Sequence, residues 1–249
     1  MRIIKENENA ICTSGANVSR SYKDYKLFAV TERPTFKTDL LEMIVSIFIM
    51  SLGVVLSVKA NQGASPIVSL PNVLSEISGL SLGTMLFIVY AIFIIIEWIL
   101  IKDRKRIVLT LSQLPFTMLF SVFVDAIVLM LDPWVVSGLA AQWALILISV
   151  LVIGFGVVLE LDANISMLAD DGLILAIHQV TRIPVSKVMI LFDVIFVASS
   201  FIISYLVFQD FVGVGLGTIF AGFTLGLSVR FFTRVVKKYI RRDGNIDSE

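Results

Sequence analysis

Five polar residues, Thr110, Gln113, Thr117, Ser121 and Asp125, follow one another at steps of 3, 4, 4 and 4 through an otherwise apolar run. That spacing places all five on one face of a helix. Hydroxyls and an amide leading to a carboxylate can line a path for a polar solute, or can bond across a helix–helix interface. A second stripe lies 105 positions later, with Thr218, Gly222, Gly226 and Arg230 opposite Gln113, Thr117, Ser121 and Asp125. Its small residues form a ridge that admits a neighbouring helix, so packing alone accounts for them. Charges inside apolar runs are harder to assign to packing, because they are costly unless paired or hydrated. Asp125, Asp193 and Arg230 are such residues. Glu42, Glu97, Glu160 and Asp162 stand near run ends and are expected to reach water.

Depth suggests how these charges pair. Asp125 lies about 27 Å along its helix at 1.5 Å per residue, toward the far end. The expected pairs are therefore Asp193 with Arg230 and Asp125 with Lys59. The two aspartates are candidate proton or cation sites on either side of the midplane, with structural ion pairs as the alternative. Asp193, Ser200 and Ser204 share a helix face, which adds to the pathway reading. His178 reads as an ordinary polar residue of a short helix.

The elements that must position these residues are apolar. Apolar side chains make up 57% of the 249 residues, with mean hydropathy +0.92, against about 45–50% in soluble globular domains. Six runs, 39–59, 82–101, 107–131, 142–163, 186–207 and 213–235, reach the ~20 residues a spanning helix needs. Nineteen of the 20 Lys and Arg residues fall on one side of this arrangement, leaving Lys59 on the other. The positive-inside rule then places both termini in the cytoplasm. Residues 1–38 read as a polar cytosolic tail without the apolar core of a leader, and 236–249 as a second tail. Trp98, Trp134 and Trp143 fall at run ends, as interfacial belts require. Lysine plus arginine equals aspartate plus glutamate, 20 against 20, so charge points to no nucleic-acid partner. One cysteine, Cys12, and one histidine, His178, exclude a disulfide and a Cys- or His-rich metal site, and no cofactor is expected.

A repeated phrase ties the runs together. Gly53-Val-Val-Leu-Ser-Val-Lys-Ala-Asn61 returns 103 positions later as Gly156-Val-Val-Leu-Glu-Leu-Asp-Ala-Asn164, with six of nine residues identical. Ser81 to Phe87 lies opposite Val185 to Leu191 at an offset of 104, so the repeat covers 39–131 and 142–235. Each unit holds three spans, an odd number, so the second must enter the membrane from the opposite face. The fold class is therefore an all-α membrane protein of six spans in two inverted repeats, the arrangement of many secondary transporters.

After each copy of the phrase comes a segment too apolar for a plain loop and too short to cross, 62–80 and 165–184. Ser65 before Pro66, and Asp170 or Asp171, are helix-start signals, giving short helices of about 20 Å. Two readings stand: re-entrant half-helices whose N-termini meet a solute, or amphipathic helices lying flat in the interface. Pro71 weakens a straight re-entrant helix.

Enzyme signatures fail. Asp171-Gly172 opens like the CDP-alcohol phosphotransferase signature but lacks the rest, no Gly-x-Gly-Asp of presenilin-type proteases is present, and Gly213-Val-Gly-Leu-Gly-Thr218 has no βαβ context. Ala60-Asn-Gln-Gly-Ala-Ser-Pro66, Leu80-Ser-Leu-Gly-Thr84, Leu111-Ser-Gln-Leu-Pro115 with Phe123-Val-Asp125, and Gly213 to Thr218 with Val229-Arg-Phe-Phe232 together resemble the YczE/YitT-like family of bacterial integral membrane proteins. The resemblance implies a bacterial plasma-membrane protein and assigns no substrate or catalytic residue. The functional expectation is a permease for a small polar or anionic solute, with a non-transporting scaffold or regulator acting through its cytosolic tail as the alternative, and a passive channel as a third. The expected pathway residues are Asn61, Ser65, Gln113, Thr117, Asp125, Asn164, Asp171, Asp193, Thr218 and Arg230. The lipid bilayer and a small solute are the expected partners.

Overall fold

The computed structural model describes residues 36–101, 104–163 and 165–243. The described chain folds as eight α-helices without strands: α1 (Phe36–Lys59), α2 (Pro66–Ser78), α3 (Leu82–Leu100), α4 (Arg104–Met130), α5 (Leu139–Ala163), α6 (Ala169–Thr181), α7 (Val185–Phe208) and α8 (Leu216–Asp243). Six of them, all but α2 and α6, are long and apolar enough to cross a membrane. Leu129, Phe223, Ile190 and Ile99 stay more than 60% exposed, as lipid-facing residues of a multi-pass membrane protein do. The expected tail 1–38 and the last residues, 244–249, lie largely outside the described chain. Helix α8 runs unbroken to Asp243, and its span-like stretch ends at Val236.

Local chemistry sets the helix ends. Asp39 in the first turn and Lys59 in the last complement the dipole of α1. Pro66 occupies the first turn of α2, where its missing N–H costs nothing, and Gly79 closes that helix in the left-handed region at φ 69°. The helix continues through Pro71 despite the lost hydrogen bond. Ser81 caps α3, accepting from the Thr84 amide.

The centre of the bundle is the crossing of α1 and α5, made by the first residue of each repeated phrase. A Cβ on Gly53 would lie 2.9 Å from the Ile153 nitrogen and 3.1 Å from the Ser149 oxygen. A Cβ on Gly156 would lie 3.1 Å from the Met50 nitrogen and 3.3 Å from the Ser46 oxygen. Ile153 and Ser149 are Met50 and Ser46 shifted by the repeat offset, so the two contacts exchange under it. The remaining packing follows the same rule. Helix α1 meets α4 as α5 meets α8, α2 meets α7 as α6 meets α3, and α2 meets α8 as α6 meets α4. Between these helices lies an apolar core of Met43, Ile47, Val55, Leu86, Phe120 and Val124. Tyr90, Phe93, Phe192 and Phe196 continue it as an aromatic cluster with ring centroids 5.6–5.8 Å apart.

Candidate functional site

The two short helices are started from a distance. The Leu168 amide, at the head of α6, donates to Glu160 Oε1 at 2.7 Å. The Ser65 amide, at the head of α2, donates to Ser57 Oγ at 3.2 Å. Both donors lie eight residues after their acceptors, and both pairs match under the 103-residue offset. The cap expected from Asp170 or Asp171 is therefore supplied by Glu160, and the N-cap residue is Leu168. Ser65 is an N-cap whose own side chain makes no capping bond. Glu160 does not reach water as expected near a span end: it is 2% exposed.

Helix α6 starts deep. Asp170 interacts with Tyr90, midway along α3, while Gln179 near its other end lines a cavity beside Ile101, just past the end of α3. The N-terminus of α6 thus lies level with the middle of a span. Around it gather Glu160, Asp170 and Asp171, with Asp193 of α7 near enough for its charge to interact with that of Asp170. Glu160 Oε2 and Asp170 Oδ1 have no hydrogen-bond partner among the described residues.

Beside this cluster lies a polar network between α3 and α4. Thr110 Oγ1 donates to Glu97 Oε1 at 3.0 Å, and Gln113 Nε2 donates to Glu97 Oε2 at 2.9 Å. Glu97 is 6% exposed, so it too is buried and bonded where water contact was expected. Gly172 lets α6 approach: a Cβ there would lie 2.4 Å from Gln113 Nε2 and 2.8 Å from Glu97 Oε2. A cavity of about 50 Å³ opens between them, reaching Ser166, Met167 and Gln179. Gln113 Oε1 and Thr117 Oγ1 are buried without hydrogen-bond partners.

The family model described as a family of unknown function, DUF6198, matches residues 37–234. The chain belongs to that family. No curated protein and no solved structure matches it. Membership fixes kinship over the whole membrane region and assigns no role to any residue, so the roles rest on the geometry above.

The expected pathway residues divide between two junctions. Gln113 and Asp171 belong to the α6 junction, with Thr117 one turn further along α4. Ser65 and Thr218 lie at the opposite end, where 61–66 packs on 213–218. There Gly217 donates to the Gln62 carbonyl at 2.9 Å, and a Cβ on Gly63 would meet Thr218 Oγ1 at 2.3 Å. Asn61 is exposed there, and Asn164 lies outside the described residues. The two segments after the repeated phrases thus sit at separate junctions, not across one shared site.

Neither expected ion pair forms among the described residues. Lys59 pairs with Asp132 at 3.8 Å. Asp125 instead accepts from Ser81 Oγ and the Gly83 amide, both at 2.7 Å, and so holds the start of α3. Arg230 is exposed and makes no salt bridge with Asp193. Glu97 and Glu160 are the residues sequence reasoning missed. The signal available for Glu160 was that the repeated phrase places an acid where its first copy has Ser57.

Proposed function

We propose that this protein is a secondary permease for a small polar solute, working by alternating access between two inverted three-span halves. The observation that carries the reading is the inequality of two equivalent junctions. At 61–66 the partner segment 213–218 fills the space with backbone. At 165–172 the partner segment leaves a cavity bounded by Glu97, Thr110 and Gln113. A protein that alternates needs two equivalent gates, one shut while the other is ajar. The exchange of contacts at Gly53 and Gly156, and the matched caps at Ser57 and Glu160, support the repeat. Three spans per half supports its inversion. The N-terminal halves of α2 and α6 are then re-entrant, in the manner of broken transporter helices.

The chemistry of the cavity selects the solute. Glu97 offers a carboxylate and Gln113 an uncommitted carbonyl oxygen, both acceptors, so the solute carries hydrogen-bond donors such as an amine. An anionic solute, expected from helix-dipole reasoning alone, is disfavoured because the α6 N-terminus already faces three carboxylates of this chain. The cavity holds only a few water molecules, so binding requires α6 to draw back from Gln113. The excess of Lys and Arg on this side of the sequence's span pattern supports a cytoplasmic location for the junction and both termini, in a bacterial plasma membrane. That localisation follows the YczE/YitT-like resemblance. No chemistry is done on the solute.

The test is thermal unfolding of the purified protein against small amines, amino acids, sugars and inorganic anions, since a ligand bound only by the folded state raises the melting temperature. Hits are followed by uptake into proteoliposomes. Amine-bearing hits that are lost in Gln113→Ala and are accumulated by vesicles are expected. Stabilisation by anions alone, or binding without any uptake, would remove the permease reading.

A further inference from the structure

We infer that Glu160 and Asp170 form a seat for one positive charge, a proton or an alkali cation, at the buried N-terminus of α6. The first half of the molecule supplies the comparison that makes the acid conspicuous. Ser57 performs the same capping task for α2 that Glu160 performs for α6, at matching positions and over the same eight-residue gap. A hydroxyl is therefore sufficient to start the short helix. The carboxylate at 160 exceeds what the fold requires, and its second oxygen is the part in excess.

That oxygen is buried and unpartnered, as is Asp170 Oδ1. A buried acceptor without a partner is costly, and a buried charge more so. The groups facing the pair add to the demand. From α3 comes Tyr90, from α6 Asp171, from α7 Asp193, and Asp162 lies two residues along α5. Of the two other helices against α5, α1 carries Lys37, Asp39, Glu42 and Lys59, the last paired with Asp132, and α8 carries Arg230 and Arg234, both exposed. No lysine, arginine or histidine forms a salt bridge with Glu160 or Asp170 among the described residues. The positive end of the α6 dipole offsets only about half a charge. One bound positive charge satisfies both orphaned oxygens at once. Tyr90, 2% exposed and turned to Asp170, supplies a further oxygen for an alkali ion, or a donor beside a proton. A role as the coupling ion rests on the permease reading.

The experiment is thermal unfolding of the full-length protein in nanodiscs of uncharged lipid. Na⁺, Li⁺, K⁺ and choline are compared at constant ionic strength across a pH series, in wild type, Glu160→Ser and Asp170→Asn. Glu160→Ser restores the cap used by the first half and is expected to fold; Asp170→Asn leaves the cap untouched. A site for an alkali ion raises the melting temperature by about 5–10 °C over choline at a hundredfold excess above Kd, and both variants lose that rise. A proton site gives no difference among the salts, but a melting temperature that climbs as pH falls in wild type and stays flatter in both variants. A wild type that matches Glu160→Ser and Asp170→Asn in every salt and at every pH would overturn the inference. Uptake assays separate this from the permease reading: cation stabilisation without solute uptake keeps the site and rejects the permease, whereas uptake without either response does the reverse.

Discussion

The crossing of α1 and α5 gives the sharpest test of the architecture. Gly53→Ala would bring a methyl group to 2.9 Å from the Ile153 nitrogen and 3.1 Å from the Ser149 oxygen, both backbone atoms. Ordinary contact lies near ~3.5–4.0 Å, so the helices must part by roughly half an ångström. Overpacking of this kind costs about 1–3 kcal/mol, against a gain of up to about 1 kcal/mol from replacing glycine inside a helix. The net expectation is a loss of about 1–2 kcal/mol, which lowers the melting temperature by roughly 2–8 °C for a chain of this size. Gly156→Ala meets its backbone neighbours at 3.1 and 3.3 Å, so it is expected to lose somewhat less. The double substitution should fall short of the sum, because separating the helices at one glycine relieves the other. Gly226→Ala is the control: no atom lies within 4 Å of its added Cβ, so only the helix gain applies. Thermal unfolding followed by tryptophan fluorescence reads all four. A Gly53→Ala protein as stable as wild type, beside a Gly226→Ala protein that behaves as expected, would refute the close crossing and with it the exchange of contacts between the halves.

Four further substitutions, at three residues, separate the roles assigned above. Glu97→Leu strands the Thr110 hydroxyl and the Gln113 amide, at about 1–3 kcal/mol for each buried donor left unpaired; Glu97→Gln keeps one acceptor and should lower the melting temperature by visibly less. Asp125→Ala removes the acceptor that holds Ser81 and Gly83, costing about 0.5–2 kcal/mol as lost helix caps do. Its ligand response in thermal-shift assays should match that of wild type, and loss of that response would return Asp125 to the pathway. Lys59→Ala should leave the melting temperature unchanged within error, because Asp132 is 81% exposed and exposed pairs contribute little.

The scaffold of this protein is written locally. Six spans were legible because hydropathy is a property of a stretch, and the bounds 82–101 and 186–207 fall within a residue or so of the helices that form. The short helices were legible because a serine before a proline, or a run of helix formers after acids, acts within one turn. The matched packing of Gly53 and Gly156 was legible because they head nearly identical phrases. Contacts between distant segments were not legible. Sequence gives the depth of Glu97 along its helix but not what stands opposite it, and only the return of α4 and α6 brings Thr110, Gln113 and Gly172 to its carboxylate. The same limit misplaced the partners of Lys59 and Asp125, because rotation about a helix axis moves a side chain to a different neighbour without changing its depth. At Glu160 the two levels meet. The repeated phrase set an acid where its first copy has a serine, and tertiary closure placed that acid at the head of α6, where burial left one of its oxygens without a partner.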